Sequence, residues 1–207
     1  METLSKLFSG EGRVKVMRLF LFNPEGLFSL DQIIAKAKIA SLEAKLEIDV
    51  LAKAGMIRSR KAVQELTVKR RGKTVDLKKK VVVWHLDPNF EYLLPLQNLL
   101  INTRPLRPNE ILKRLGNVGK LKMVIVAGVF IQNPDSRVDI LIVGDNLRRG
   151  AIERIVKTME AEIGKELAFA AFETADFNYR LGMYDKLIRD ILDYPHQKLL
   201  DRLNLKA

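Results

Sequence analysis

The chain of 207 residues carries 36 Lys and Arg against 25 Asp and Glu, is 47% hydrophobic and 29% charged, and has no cysteine and two histidines. It can bury a globular core, cannot form disulfides or thiolate metal sites, and offers only His85 and His196 toward zinc, so no metal and no cofactor is expected. The first twelve residues include Glu2 and Glu11 without a long apolar run, and nowhere do eighteen apolar residues follow one another, so the expectation is a cytoplasmic protein with no signal peptide and no membrane partner.

Residues 13–22 place Val14, Met17, Leu19, Phe20 and Leu21 at helical spacing, and Asn23-Pro24-Glu25-Gly26 is a turn that stops the helix. Ser29 is the expected N-cap of a second helix, with Leu30, Ile33, Ile34 and Ala37 inward. Ser41 is the expected cap of a third, in which Ala44, Ile48 and Leu51 share the inner face and Ser41, Leu42, Glu43, Lys45, Leu46 and Asp49 point outward. Gly55 ends it, as the left-handed residue common at helix C-termini. From Met56 an extended run reaches Val68, Arg70-Arg71-Gly72-Lys73 reads as a loop, and residues 81–86 are strand-like again.

Charge is concentrated on that hairpin. Up to Glu110 there are 20 basic against 12 acidic residues, and beyond it 16 against 13. Residues 57–80 alone hold ten basic side chains against Glu65 and Asp76, a patch rather than a diffuse excess.

Three helices and a basic hairpin over residues 4–88 resemble the winged helix-turn-helix domain of bacterial and archaeal transcription regulators. The run Leu51-Ala52-Lys53-Ala54-Gly55-Met56-Ile57 resembles that family's passage from recognition helix into wing. The resemblance implies a double-stranded DNA partner, with the third helix in the major groove through Ser41 and Lys45 and the wing laying Lys69, Arg70, Arg71, Lys73, Lys78, Lys79 and Lys80 along phosphates. Glu43 and Asp49 oppose phosphates, so the wing is expected to carry most of the affinity. Leu42 and Leu46 suit either a thymine methyl or a protein surface.

Asp87-Pro88 closes this first domain (1–88). Residues 90–101 read as a connecting helix in which Pro95 either starts or kinks the helix, and residues 89–105 form the linker. In the second domain (106–207), a short helix at 109–115 precedes two Val- and Ile-rich runs, 123–127 and 138–143, too short for helices and read as adjacent buried strands. An amphipathic helix follows at 148–163, with Ile152, Ile155, Val156, Met159 and Ile163 inward, then a strand at 167–172. The tail from Asp176 is helical in pattern, with an apolar stripe of Phe177, Leu181, Tyr184, Leu187, Ile188, Ile191 and Leu192 read mostly as core and otherwise as an intersubunit helix, and a last helix is expected from Pro195 with Leu199, Leu200 and Leu203 inward.

Gly128 after the first strand and Pro134-Asp135-Ser136 before the second resemble the nucleotidyltransferase superfamily typified by DNA polymerase beta. That family ends its first strand in Gly-Ser, carries Asp-x-Asp for two magnesium ions on the second, and a further carboxylate on the third. Here Val129 stands in place of the serine, Arg137-Val138-Asp139 in place of Asp-x-Asp, and Ala168 aligns to the third carboxylate, with Glu166 or Glu173 as alternatives by a shift of register. Arg137 is expected to share a face with Asp139 and pair with it.

The whole is read as α+β: a winged helix followed by a small nucleotidyltransferase-like α/β domain with a C-terminal helical tail and no catalytic residues. The functional expectation is a DNA-binding transcription regulator whose inactive second domain binds a ligand, a second copy or a protein partner. The alternatives are an active nucleotidyltransferase with an altered site and an antitoxin-like interaction subunit. A homodimer is expected, through a stripe around Leu187, Ile191 and Leu192 or through the 90–101 helix.

Overall fold

The computed structural model describes residues 2–70, 73–101, 106–133 and 135–204. The side chains of residues 64–79 lie outside that description, as do Arg71 and Gly72 altogether. The fold is α+β and divides into two compact units, Glu2–Leu100 with Ile163–Lys165, and Ile101–Glu162 with the chain from Glu166 onward.

In the first unit, α1 (Glu2–Leu7) and α2 (Glu11–Phe22) precede a two-residue strand β1 (Phe28–Ser29), α3 (Leu30–Ala37) and α4 (Ser41–Lys53). The Ser29 hydroxyl accepts from Gln32 N–H, and the Gln32 side chain accepts from Ser29 N–H, so both ends of a capping box are closed. Ser41 does not cap α4. Ala40, in extended backbone, is the N-cap, and Ser41 is the first helical residue. The buried faces carry Val14, Met17, Phe20, Ile33, Ala44, Ile48 and Leu51, the spacing that drives three amphipathic helices onto one core. Arg13 Nε meets Glu47 Oε2 at 2.6 Å across α2 and α4, satisfying a carboxylate that burial would otherwise penalise.

Gly55 adopts φ 80° after α4 and turns the chain into β2 (Ile57–Arg70), which pairs antiparallel with β3 (Lys73–Leu86). Pairing is unbroken from Ile57 opposite Leu86 to Arg70 opposite Lys73, and the three-stranded sheet has the order β1-β3-β2. At the base of this hairpin Arg58 Nε donates to Asp87 Oδ2, and Asn89 N–H donates to Asp87 Oδ1 at 3.1 Å. The Asn89 N–H and the Arg58 guanidinium hold the Asp87 carboxyl below its ordinary value against the opposing effect of burial. A carboxylate with a depressed folded-state pKa stabilises the fold above its unfolded-state value of about 3.9 and loses that contribution as pH falls through the folded value. Between about pH 4 and pH 2, urea midpoints of the native chain should therefore fall more steeply than those of Asp87→Asn; parallel curves would contradict this. The unit ends with α5 (Leu93–Leu100), in which Pro95 occupies the first turn, where no amide hydrogen is needed.

In the second unit, α6 (Pro108–Leu115) starts with proline at its first position and leads into β4 (Lys120–Val126) and β5 (Ile140–Asp145). Helix α7 (Arg149–Ile163) crosses over to β6 (Phe169–Glu173), parallel to β5; α8 (Thr174–Gly182) and α9 (Lys186–Asp193) follow. The sequence pattern places a last helix after Pro195, but Gln197–Asp201 is instead a strand, β7, antiparallel to β4. Met123, Val124 and Ile125 of β4 are fully buried, so the outer peptide groups of that strand need partners, and sheet pairing outweighs the local helical pattern. The sheet order is β6-β5-β4-β7.

One face of this sheet, through Met123, Ile125, Leu141 and Val143, packs on Phe177, Ile188 and Ile191 of α8 and α9. The partly buried Leu187 and Leu192 pack against the same cluster and Ile191 is only 5% exposed, so the stripe is core, as most of its pattern implied, and is not left as the candidate dimer surface. No helix among the described residues is long and apolar enough to cross a membrane.

Candidate functional site

The loop between β4 and β5 returns to the sheet at Asp139, and this residue ties three segments together. Its Oδ1 accepts from Val129 N–H at 2.9 Å and its Oδ2 from Ala168 N–H at 2.9 Å. Its own N–H donates to Ala168 O at 2.7 Å, and its carbonyl accepts from Ala127 N–H at 2.9 Å. Asp139 is 7% exposed. Both carboxylate oxygens thus already serve backbone donors from the end of β4 and the approach to β6, and charge-assisted bonds of this kind are the strong ones.

Gly128 takes φ 54° in the short 3₁₀ turn Gly128–Phe130, and a Cβ placed there would collide with Asp139 Oδ1. The glycine is needed twice over, for its backbone angle and for the carboxylate beside it. Val129 contributes its N–H, and the exposed Ala168 contributes both its peptide groups, so neither replacement removes anything from this network.

Arg137 does not pair with Asp139. Its Nε lies 2.8 Å from Asp190 Oδ2 on α9, an ion pair between a half-exposed guanidinium and a mostly buried carboxylate. Strand β5 begins only at Ile140, so the alternation that would place Arg137 and Asp139 on one face does not yet apply at Arg137. Arg137, Asp190, Ser136, Tyr194, Pro195 and Ala127 help line a cleft of about 160 Å³, in which the buried Ser136 Oγ has no hydrogen-bond partner among the described residues. Asp190 was not reachable by sequence reasoning, because its distance along the chain from Arg137 leaves no local pattern to read. Glu173, one alternative for the third carboxylate, instead accepts from Asn146 N–H at 3.0 Å and Leu147 N–H at 2.9 Å. Glu166 is exposed ahead of β6. Among the described residues, no group of three or more His, Asp or Glu is placed to hold a metal ion.

In the first unit, Ser41 and Lys45 are exposed on α4, together with Leu42 (71%), Leu46 (59%) and Asp49, whose carboxylate meets Lys53 at 2.7 Å. Lys80 is exposed on β3 opposite Val63. Lys69 stands opposite Thr74, Arg70 opposite Lys73, Gln64 opposite Lys79 and Glu65 opposite Lys78. Arg71 lies outside the described residues.

No family model, curated protein or solved structure matches this chain. His85 Nδ1 lies 2.9 Å from Leu86 O and His196 Nδ1 2.9 Å from Tyr194 O, so each ring is engaged by nearby backbone.

Proposed function

We propose that this chain is a DNA-binding transcription regulator, a winged helix-turn-helix domain joined to a nucleotidyltransferase-like domain without catalysis. The observation that carries the first half is the concentration of ten basic residues in 57–80, on a hairpin whose strands run 14 residues each and stay paired throughout. Like charges so crowded repel one another and contribute little to folding, whereas duplex DNA offers a continuous line of phosphates to neutralise them. The exposed Ser41 and Lys45 on the preceding helix suit the groove beside it.

What supports a silent second domain is Asp139. A carboxylate whose two oxygens are each committed to a backbone N–H has poor capacity to bridge two magnesium ions, and the residues aligned to the other metal positions are Arg137 and Ala168. The exposed stripe of Leu42, Leu46 and Val50 on α4 favours the antitoxin-like reading as an alternative, since three apolar side chains at four-residue spacing fit a protein partner.

Fluorescence anisotropy with labelled duplexes at two salt concentrations tests the first half. Binding that weakens steeply with salt is expected, and no binding at low salt would favour the protein-partner reading. Incubation with labelled nucleoside triphosphates and magnesium should give no transfer to protein or RNA. Turnover that disappears in Asp139→Asn and requires magnesium would make the second domain an enzyme.

A further inference from the structure

The two edges of the second unit's sheet are built differently. At one edge, β7 carries Lys198, ion-paired to Asp201 at 3.1 Å, pairs with β4 through a register shift, and lies against α6. Charge, irregularity and cover are the devices by which proteins keep an edge strand from joining another chain. At the other edge, β6 pairs only with β5 among the described residues, and Leu167-Ala168-Phe169-Ala170-Ala171-Phe172 has no charge and no proline. Glu173 at its end is turned back onto the Asn146 and Leu147 N–H groups, so its carboxylate does not guard the edge.

The register says which peptide groups are on offer. Ile140 N–H donates to Ala168 O, and Ile140 stands opposite Phe169 in the parallel ladder, so Ala168, Ala170 and Phe172 direct their peptide groups toward β5. Phe169 and Ala171 direct theirs away from the sheet. Beside them lies a hollow of about 160 Å³ lined by Arg149, Ile152, Glu153, Phe169 and Ala171.

We propose that β6 is a homodimer interface, in which β6 of a second copy pairs with it antiparallel about a two-fold axis at Ala171 and the sheet continues from one copy into the other. A two-fold at Ala171 sets Ala171 against Ala171 and Phe169 against Glu173 of the other copy, so outward peptide groups meet outward peptide groups and no like charges stand opposite. The small central side chains allow close approach. The hollow's rim holds one charge of each sign, Arg149 and Glu153, which is the self-complementary arrangement an isologous contact requires. This interface supplies the second copy that a regulator needs for two half-sites, but it stands whether or not the first unit binds DNA.

The absence of cysteine makes the test clean. In the full-length chain, Ala171→Cys places two thiols across the axis on Cα atoms about 5.5 Å apart, while Gln197→Cys puts one on β7 at the opposite edge. A short bis-maleimide should cross-link Ala171→Cys to a covalent dimer and leave Gln197→Cys largely monomeric. Light scattering at high micromolar concentration should give a dimer mass for the native chain and a monomer mass for Phe169→Lys with native-like circular dichroism. A monomeric native chain, or cross-linking of Ala171→Cys no greater than that of Gln197→Cys, would overturn the proposal.

Discussion

Asp139→Ala is expected to lower the unfolding free energy by about 3 kcal/mol or more, read from urea midpoints, because two charge-assisted hydrogen bonds of roughly 1.5–3 kcal/mol each disappear and leave backbone donors without an acceptor. Those donors, Val129 N–H and Ala168 N–H, belong to two segments, the end of β4 and the approach to β6, that this residue's side chain and peptide groups tie together. Asp139→Asn should cost less, about 1–3 kcal/mol, since one amide oxygen can serve one of the two donors while the amide nitrogen faces the other. Gly128→Ala should be destabilising by about 1–3 kcal/mol through its positive φ and through contact with Oδ1. The two sites touch, so the double variant Gly128→Ala/Asp139→Ala should lose less than the sum of the single losses. Magnesium should leave the native unfolding midpoint where it is. An Asp139→Ala chain as stable as the native one, or a native midpoint raised by magnesium, would return this carboxylate to the role of a metal ligand.

What could be read from the sequence was what local chemistry controls. The Ser29 cap, the positive φ at Gly55, and the Val- and Ile-rich runs that became β4 and β5 each depend on a few neighbouring residues. The features that were not legible depend on partners far along the chain. Gln197–Asp201 contains two leucines after a proline and fits a helix by pattern, yet β4 recruits it as a strand. Leu187 and Leu192 looked available for a second copy because the extent of the α8–α9 packing on the sheet cannot be counted from one stretch. Within the site, Gly128, Val129, Arg137, Asp139 and Ala168 were found by resemblance, and all but Arg137 meet around one carboxylate. Their roles differ from the expectation, because Arg137 precedes the strand and finds Asp190, while Asp139 is consumed by peptide groups that no sequence motif displays.

The largest effect on binding is expected from the wing. Changing Lys69, Arg70, Arg71 and Lys73 together to Ala removes four of the ten positive charges in residues 57–80. If each neutralises one phosphate, each loss removes a released counterion, and the slope of log affinity against log salt should become shallower by about 0.9 per contact, or about 3 to 4 for all four. Affinity should fall on every duplex, whatever its sequence, because phosphate contacts position without reading bases. Lys45→Ala on α4 provides the contrast: a side chain that reads a base edge should lose more on a preferred duplex than on a random one, whereas equal losses would make it another phosphate contact. If these side chains serve phosphates rather than the fold, the quadruple variant should keep its unfolding free energy within about 0.5 kcal/mol of the native value. Anisotropy titrations at several salt concentrations give both affinity and slope, and a quadruple variant that binds like the native chain with an unchanged slope would remove the wing from the interface and, with it, the argument that the hairpin's charge is there for nucleic acid.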